Sequence, residues 1–230
     1  MRERPRDEDI LAALPHARGD DREILIWMLA HAEGGSGVGA LEDLFAATRG
    51  YERSAALYAL ASRAGAGSTH WCVEALRSTS FNLQEKAASL LAEVGDETAA
   101  PDVLEWLTRK LRSKSRPNGF WSPFTVPAAI NFATRHGVHA QVAQILAERW
   151  TSLHTDEHDW LRRNWPGLFA PVGHPAPTPE VDPPVRRSRD IYERFGDDAG
   201  YFQPPNAQWW ESFDSAYTRA SRRAARAERS

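Results

Sequence analysis

The chain has 230 residues, 42% of them hydrophobic and 26% charged, enough to bury one good-sized core without staples. That composition excludes wholesale disorder, collagen and coiled-coil arrays, and a single cysteine, Cys72, excludes an internal disulfide and a cysteine-rich zinc module. A formal charge of −3, with 28 cationic residues of which only Lys86, Lys110 and Lys114 are lysine, leans against a dedicated nucleic-acid binder.

The start of the chain is too charged for a signal peptide, with Arg2, Glu3, Arg4, Arg6, Asp7, Glu8 and Asp9 in its first nine positions. The longest strongly apolar run, Ile24 to Ala30, is seven residues, where a membrane span needs about twenty. A soluble, cytoplasmic protein with no membrane partner is expected, which suits a free thiol.

From residue 7 to about 165 the pattern is helix after helix, and no window has the β-branched alternation of a strand. A first apolar helix over 24–34 leads into a second over 38–49, carrying Leu41, Leu44 and Phe45. The glycine-rich stretch between them, Gly34 to Gly39, joins two helices; a phosphate cradle usually follows a strand, so a flexible loop is expected. A helix over 55–65 leads into one over 69–77 that carries Cys72, Val73 and Leu76, with Cys72 expected as a packed thiol. In 81–94, Leu83, Ala87, Leu90, Leu91 and Val94 form one stripe of a 3.6-residue period. Gly95 is expected to supply a left-handed stop, Asp96 to start the connection and Pro101 to sit in the first turn of the next helix. That helix carries Ala100, Val103, Leu104, Leu107 and Leu111 on one face. A helix over 128–137 leads into one over 138–150, and His136 and His139 beside Gly137 are expected to favour the helix end electrostatically.

Each unit is therefore a helix, a glycine stop and a second helix. The glycines at 34, 65, 95 and 137 are spaced by 31, 30 and 42 residues, and the long step coincides with an insertion near residues 113–121. A two-helix unit of this length must stack on neighbours to bury its apolar face. The stretch from Leu83 to Leu107, with Gly95 and Asp96 at the turn and Pro101 opening the second helix, resembles a short unit of the HEAT-like (armadillo-type) helical repeat family. The resemblance covers roughly residues 20–165. It implies an all-α, right-handed α-solenoid of about four helix pairs with a concave binding surface, and it implies no chemistry.

Beyond residue 170 the texture changes. Pro171, Pro175, Pro177, Pro179, Pro183 and Pro184 predict an extended linker, so the chain divides into a helical repeat domain, 7–170, and an arm, 171–230. The arm ends in a helix over 206–226, on which Trp210, Phe213, Tyr217, Ala220 and Ala224 form a stripe. Eight aromatics in the arm, Trp209, Trp210, Phe213 and Tyr217 among them, predict that this helix docks on a helical face and leaves its arginines outside.

Two constellations bear on chemistry. His154, Glu157 and His158 match the letters of an inverted zinc peptidase motif, but Thr155 reads as an N-cap that puts His154 off the shared face, and no third ligand is identifiable; no metal and no cofactor is expected. Arg109, Lys110, Arg112, Lys114 and Arg116, followed by Phe120, Trp121 and Phe124, combine cations for phosphates with aromatic faces for bases. The HEAT-like family includes DNA glycosylases, whose catalytic residues do not map onto this chain. The expected function is a non-enzymatic scaffold for an unidentified protein partner. The alternative is nucleic-acid binding or DNA repair through Arg109 to Trp121, with a zinc hydrolase third.

Overall fold

A computed structural model of the chain describes residues 4–35, 37–112, 125–153, 158, 161 and 207–229. The described residues are all-α: no strand occurs among them. The helices are α1 (Asp7–Ala13), α2 (Asp20–Met28), α3 (Gly37–Ala47), α4 (Gly50–Ala64), α5 (Thr69–Leu76), α6 (Phe81–Val94), α7 (Ala100–Arg112), α8 (Thr125–His136), α9 (His139–Glu148) and α10 (Ala207–Ala227). None is long and apolar enough to cross a membrane. The chain forms two compact units, Met1–Ser68 with Phe202–Ser230, and Thr69–Tyr201.

In the first unit, α4 is buried at every position from Ala55 to Ala61, which is the signature of a helix covered on several sides. It packs against α2 and α3, while α10 packs against α1 and α2. The small side chains Ala55, Ala56, Ala59 and Ala61 allow that close approach, and Leu57 and Leu60 fill the core with Leu25, Ile26, Leu41 and Phe45.

The loop that brings α2 to α3 is tied down. Asp7, 1% exposed, receives Arg63 through Nη1 at 2.5 Å and Nη2 at 3.0 Å, and its Oδ2 accepts the Gly37 amide at 3.1 Å. Arg63 also donates to the carbonyls of Leu29 and Gly34. Gly34 takes φ 137°, and a Cβ there would lie 2.7 Å from Asp7 Oδ2. Glycine is required at 34 because the backbone wraps a buried carboxylate, and the stretch expected as a flexible loop is tied by hydrogen bonds at Gly34 and Gly37.

In the second unit, α6 packs on α5 and α8, and α7 packs on α5, α8 and α9. First helices of successive pairs (α6, α8) thus meet one another, as do second helices (α5, α7, α9). Ser80 caps α6 by accepting the Leu83 amide, and Pro101 lies in the first turn of α7. The core holds Cys72, Leu76, Leu90, Leu91, Trp106, Leu107, Phe132 and Leu146. Trp106 was not on the expected apolar face, yet it is fully buried.

All four spacing glycines lie between helices, but one works differently from expectation. Gly65 and Gly137 take φ 53° and 72°, whereas Gly95 is extended at φ −60°. Its terminating role comes from Arg135 of α8, which donates to the carbonyls of Ala92 at 2.6 Å, Glu93, and Gly95 at 2.5 Å. A guanidinium fork satisfies the carbonyls that a left-handed residue would otherwise have paired. Glycine is needed at 95 because a Cβ would come within 2.8 Å of the Leu91 carbonyl oxygen. His136, beside Gly137 at the end of α8, has its pKa lowered by burial and by the neighbouring Arg135 guanidinium, and its ring lies 4.4 Å from Phe132.

Candidate helix-docking interface

The most specific surface is the face of α1 and α2 that receives α10. On α10, Phe213, Ala216 and Ala220 are buried, with Trp210, Tyr217 and Ala224 beside them half-buried. This is a narrow apolar stripe of one large ring and two small residues, so the helix approaches closely and buries modest area. Tyr217 lies 5.7 Å from Phe213, and Trp210 meets Phe213 edge-on at 6.0 Å.

At one end of the face, Trp209 stacks on Trp27 with centroids 4.5 Å apart, and Trp27 stacks in turn on Tyr58 of α4 at 5.3 Å. Trp209 is 39% exposed, so the stack opens to solvent at its α10 end. His31, one turn after Trp27, lies 4.7 Å from that ring, with Nε2 buried and without a hydrogen-bond partner among the described residues. Burial, with the positive charge of Arg4, pushes its pKa down to about 4, so the imidazole is neutral.

At the other end stands Asp21, 8% exposed, in the first turn of α2, where the helix dipole favours an acid. Arg219 donates Nε to both carboxylate oxygens at 3.1 Å and Nη2 to Oδ1 at 2.6 Å. Arg223, one turn later on the same face, donates to Oδ2 at 3.2 Å and to the His16 carbonyl at 3.4 Å. The Arg219 hydrogen bonds, with those of Arg223, hold the Asp21 carboxyl below its usual range. The arginines stay outside as expected in that Arg219, Arg222, Arg226 and Arg229 are exposed, but Arg219 and the half-buried Arg223 also reach back to Asp21. The reason is the i, i+4 spacing, which brings both guanidinium groups to one buried acid.

The basic segment is divided. Arg109 donates to the Leu76 carbonyl at 3.0 Å and pairs with Glu105. Lys110 is half-buried, 3.4 Å from Glu85 and 4.0 Å over the Phe81 ring. These two cations serve the packing of α7 on α5 and α6. Arg112 is exposed, and Lys114, Arg116 and Trp121 lie outside the described residues. So do His154, Thr155 and Glu157; His158 stacks on Trp150 at 3.9 Å and its Nε2 lies 2.9 Å from the Trp150 carbonyl oxygen. Among the described residues, no three His, Cys, Asp or Glu side chains converge as a metal site.

Sequence reasoning found the α10 stripe and missed its receptor. Asp21 is one of three first-turn acids of α2, with Asp20 and Glu23, and nothing in the sequence singles it out as the one that meets the arginines of α10. Comparisons with family models, with curated proteins and with solved structures return no match.

Proposed function

We propose that the chain is a non-enzymatic binding scaffold that recognises a protein partner, and that it takes that partner as an amphipathic helix laid on a helical face. The observation that carries the reading is α10 itself. A helix almost two hundred residues downstream of α2 is held on the α1–α2 face by an aromatic stack, a small-residue stripe and a two-arginine clamp. This is the helix-in-groove mode of recognition, displayed in cis.

The finer fold reading belongs to the same proposal. A HEAT-like, right-handed solenoid of about four pairs is supported by the packing of first helices on first helices in each unit, α2 on α4 and α6 on α8, and of second helices on second helices, α5 on α7 and α7 on α9, in the second. A cytoplasmic location is supported by the reduced, buried Cys72. Nucleic acid is the weaker partner, because Arg109 and Lys110 are engaged inside their own unit.

The test is a fluorescent peptide of residues 205–230 added to full-length chain carrying Arg219→Glu and Arg223→Glu, which weakens the resident helix. Saturable anisotropy, reduced at least tenfold when Asp21→Lys is added, supports the reading. Absence of binding at any peptide concentration rejects it.

A further inference from the structure

We propose that the outward side of α10 is a second binding surface, a row of arginines that holds the phosphate backbone of a nucleic acid without reading its sequence. It is distinct from the α1–α2 face, and Arg109 and Lys110 take no part in it.

Charge is segregated along the chain. Residues 215–230 carry five arginines and one acid, a formal charge of +4, so the other 214 residues carry −7. A cationic segment inside an otherwise acidic chain is the electrostatic footprint of a polyanion site. At 3.6 residues per turn, Arg219, Arg222, Arg223 and Arg226 fall within about 100° of the helix circumference. Arg229 follows in the closing turn, where its amide donates to the Arg226 carbonyl at 3.3 Å. The one acid, Glu228, still bonds the Ala224 carbonyl through its amide, and that helical phase carries it to the side opposite Arg219.

The docking of α10 fixes the direction of this row. Phe213, Ala216 and Ala220 turn one side of the helix to α1 and α2, and Asp21 pins Arg219 and Arg223 at the edge of that side. Arg222, Arg226 and Arg229 are left exposed, and Arg219 is exposed beside them. Helix neighbours three and four apart have Cβ atoms about 5–6 Å apart, so the guanidinium groups form a line set before any ligand arrives.

The make-up of the face selects the polyanion. From Ser215 to Arg229 the exposed apolar side chains are Ala225 and Ala227, while Ser215 and Thr218 add hydroxyls near the arginines. A protein interface is centred on a large aromatic or aliphatic anchor, which these exposed positions lack. A helix lying in a bilayer surface needs a bare apolar side, and that side of α10 is spent on α1 and α2. Guanidinium and hydroxyl donors without an anchor match phosphate oxygens, which carry the sequence-independent share of nucleic-acid affinity.

The test is fluorescence anisotropy of a DNA duplex of about 25 base pairs with the full-length chain, between about 25 and 200 mM salt. Three phosphate contacts, from Arg222, Arg226 and Arg229, predict that log affinity falls with log salt at a slope of about 3. Arg222→Gln with Arg226→Gln and Arg229→Gln should bring the slope below about 1 and weaken binding at low salt at least tenfold. Ser215→Glu with Thr218→Glu leaves every arginine and the Asp21 clamp in place, and should weaken binding at least about fivefold by like charge. No duplex binding by the wild type at the lowest salt overturns the proposal, as does an unchanged slope and affinity in both variants. Binding lost in Arg112→Gln and kept in those two variants overturns it as well, because the site would then lie on α7. Vesicles rich in anionic lipid, or polyglutamate, bound as tightly as the duplex would overturn nucleic acid as the occupant.

Discussion

Trp27 of α2 and Trp209 of α10, 182 residues apart in sequence, stack with ring centroids 4.5 Å apart and planes 16° apart. Trp27 is thereby held between two rings, since Tyr58 lies on it at 5.3 Å and 10°. The two substitutions at this stack are unequal. Trp209→Ala removes a partly exposed ring and is expected to lower stability by about 1–2 kcal/mol, while Trp27→Ala opens a gap between two rings and costs about 3 kcal/mol or more. Urea unfolding of both variants checks the order, and equal losses would mean that Tyr58 gains nothing from the stack.

The Asp7–Arg63 pair fixes the passage from α2 to α3. Arg63→Ala leaves a carboxylate 1% exposed without its cation, which is expected to cost about 3–5 kcal/mol. Removing both charges, Asp7→Ala with Arg63→Ala, should cost less than the two single losses added together, because no charge is then stranded. Gly34→Ala acts on the same cradle, through φ 137° and a Cβ 2.7 Å from Asp7 Oδ2, and should cost at least about 1–3 kcal/mol. Denaturant midpoints of the four variants measure all of this.

His31 and Asp21 give the chain two separate acid sensitivities. The folded pKa of His31 is about 4, below the ordinary value of about 6.5 that it has when unfolded. Between those values the unfolded chain binds a proton that the folded chain refuses, so stability falls as pH drops from about 6.5 toward 4. The ring is half-buried, and solvent screening reduces the loss to about 1–2 kcal/mol. His31→Gln should flatten this slope, and an unchanged slope would remove His31 from the account. Asp21 acts at lower pH. Its folded pKa is depressed by Arg219, so its contribution is present above the ordinary carboxyl pKa of about 3.9 and disappears as pH falls through the folded value.

The helical periodicity was the most legible feature because it reports burial directly. Leu83, Ala87, Leu90 and Leu91 are all buried, and the last helix, read over 206–226, spans Ala207–Ala227. Boundaries set by distant side chains were not legible. The first apolar helix was read to Gly34, but α2 ends at Met28, because Asp7 and Arg63 hold the following turn from outside it. Gly95 carried the letter of a left-handed stop, and only the fold brings Arg135 within reach of the carbonyls it terminates. The arginines of α10 were read as solvated because the acid that meets Arg219 and Arg223 lies almost at the other end of the chain. Lys110 was read with a basic surface, whereas Glu85 and Phe81, a helix away, draw it inward.

The central claim is that the α1–α2 face holds a helix, and thermal unfolding of the chain ended at residue 206 tests it most directly. Loss of α10 withdraws Phe213, Ala216, Ala220 and the Trp209 stack, about 3 kcal/mol of apolar burial. At roughly 2–4 °C per kcal/mol for a chain of this size, the account predicts a fall in melting temperature of about 6–12 °C, recovered in part by adding the 205–230 peptide in trans. An unchanged melting temperature, with no response to the peptide, would contradict it.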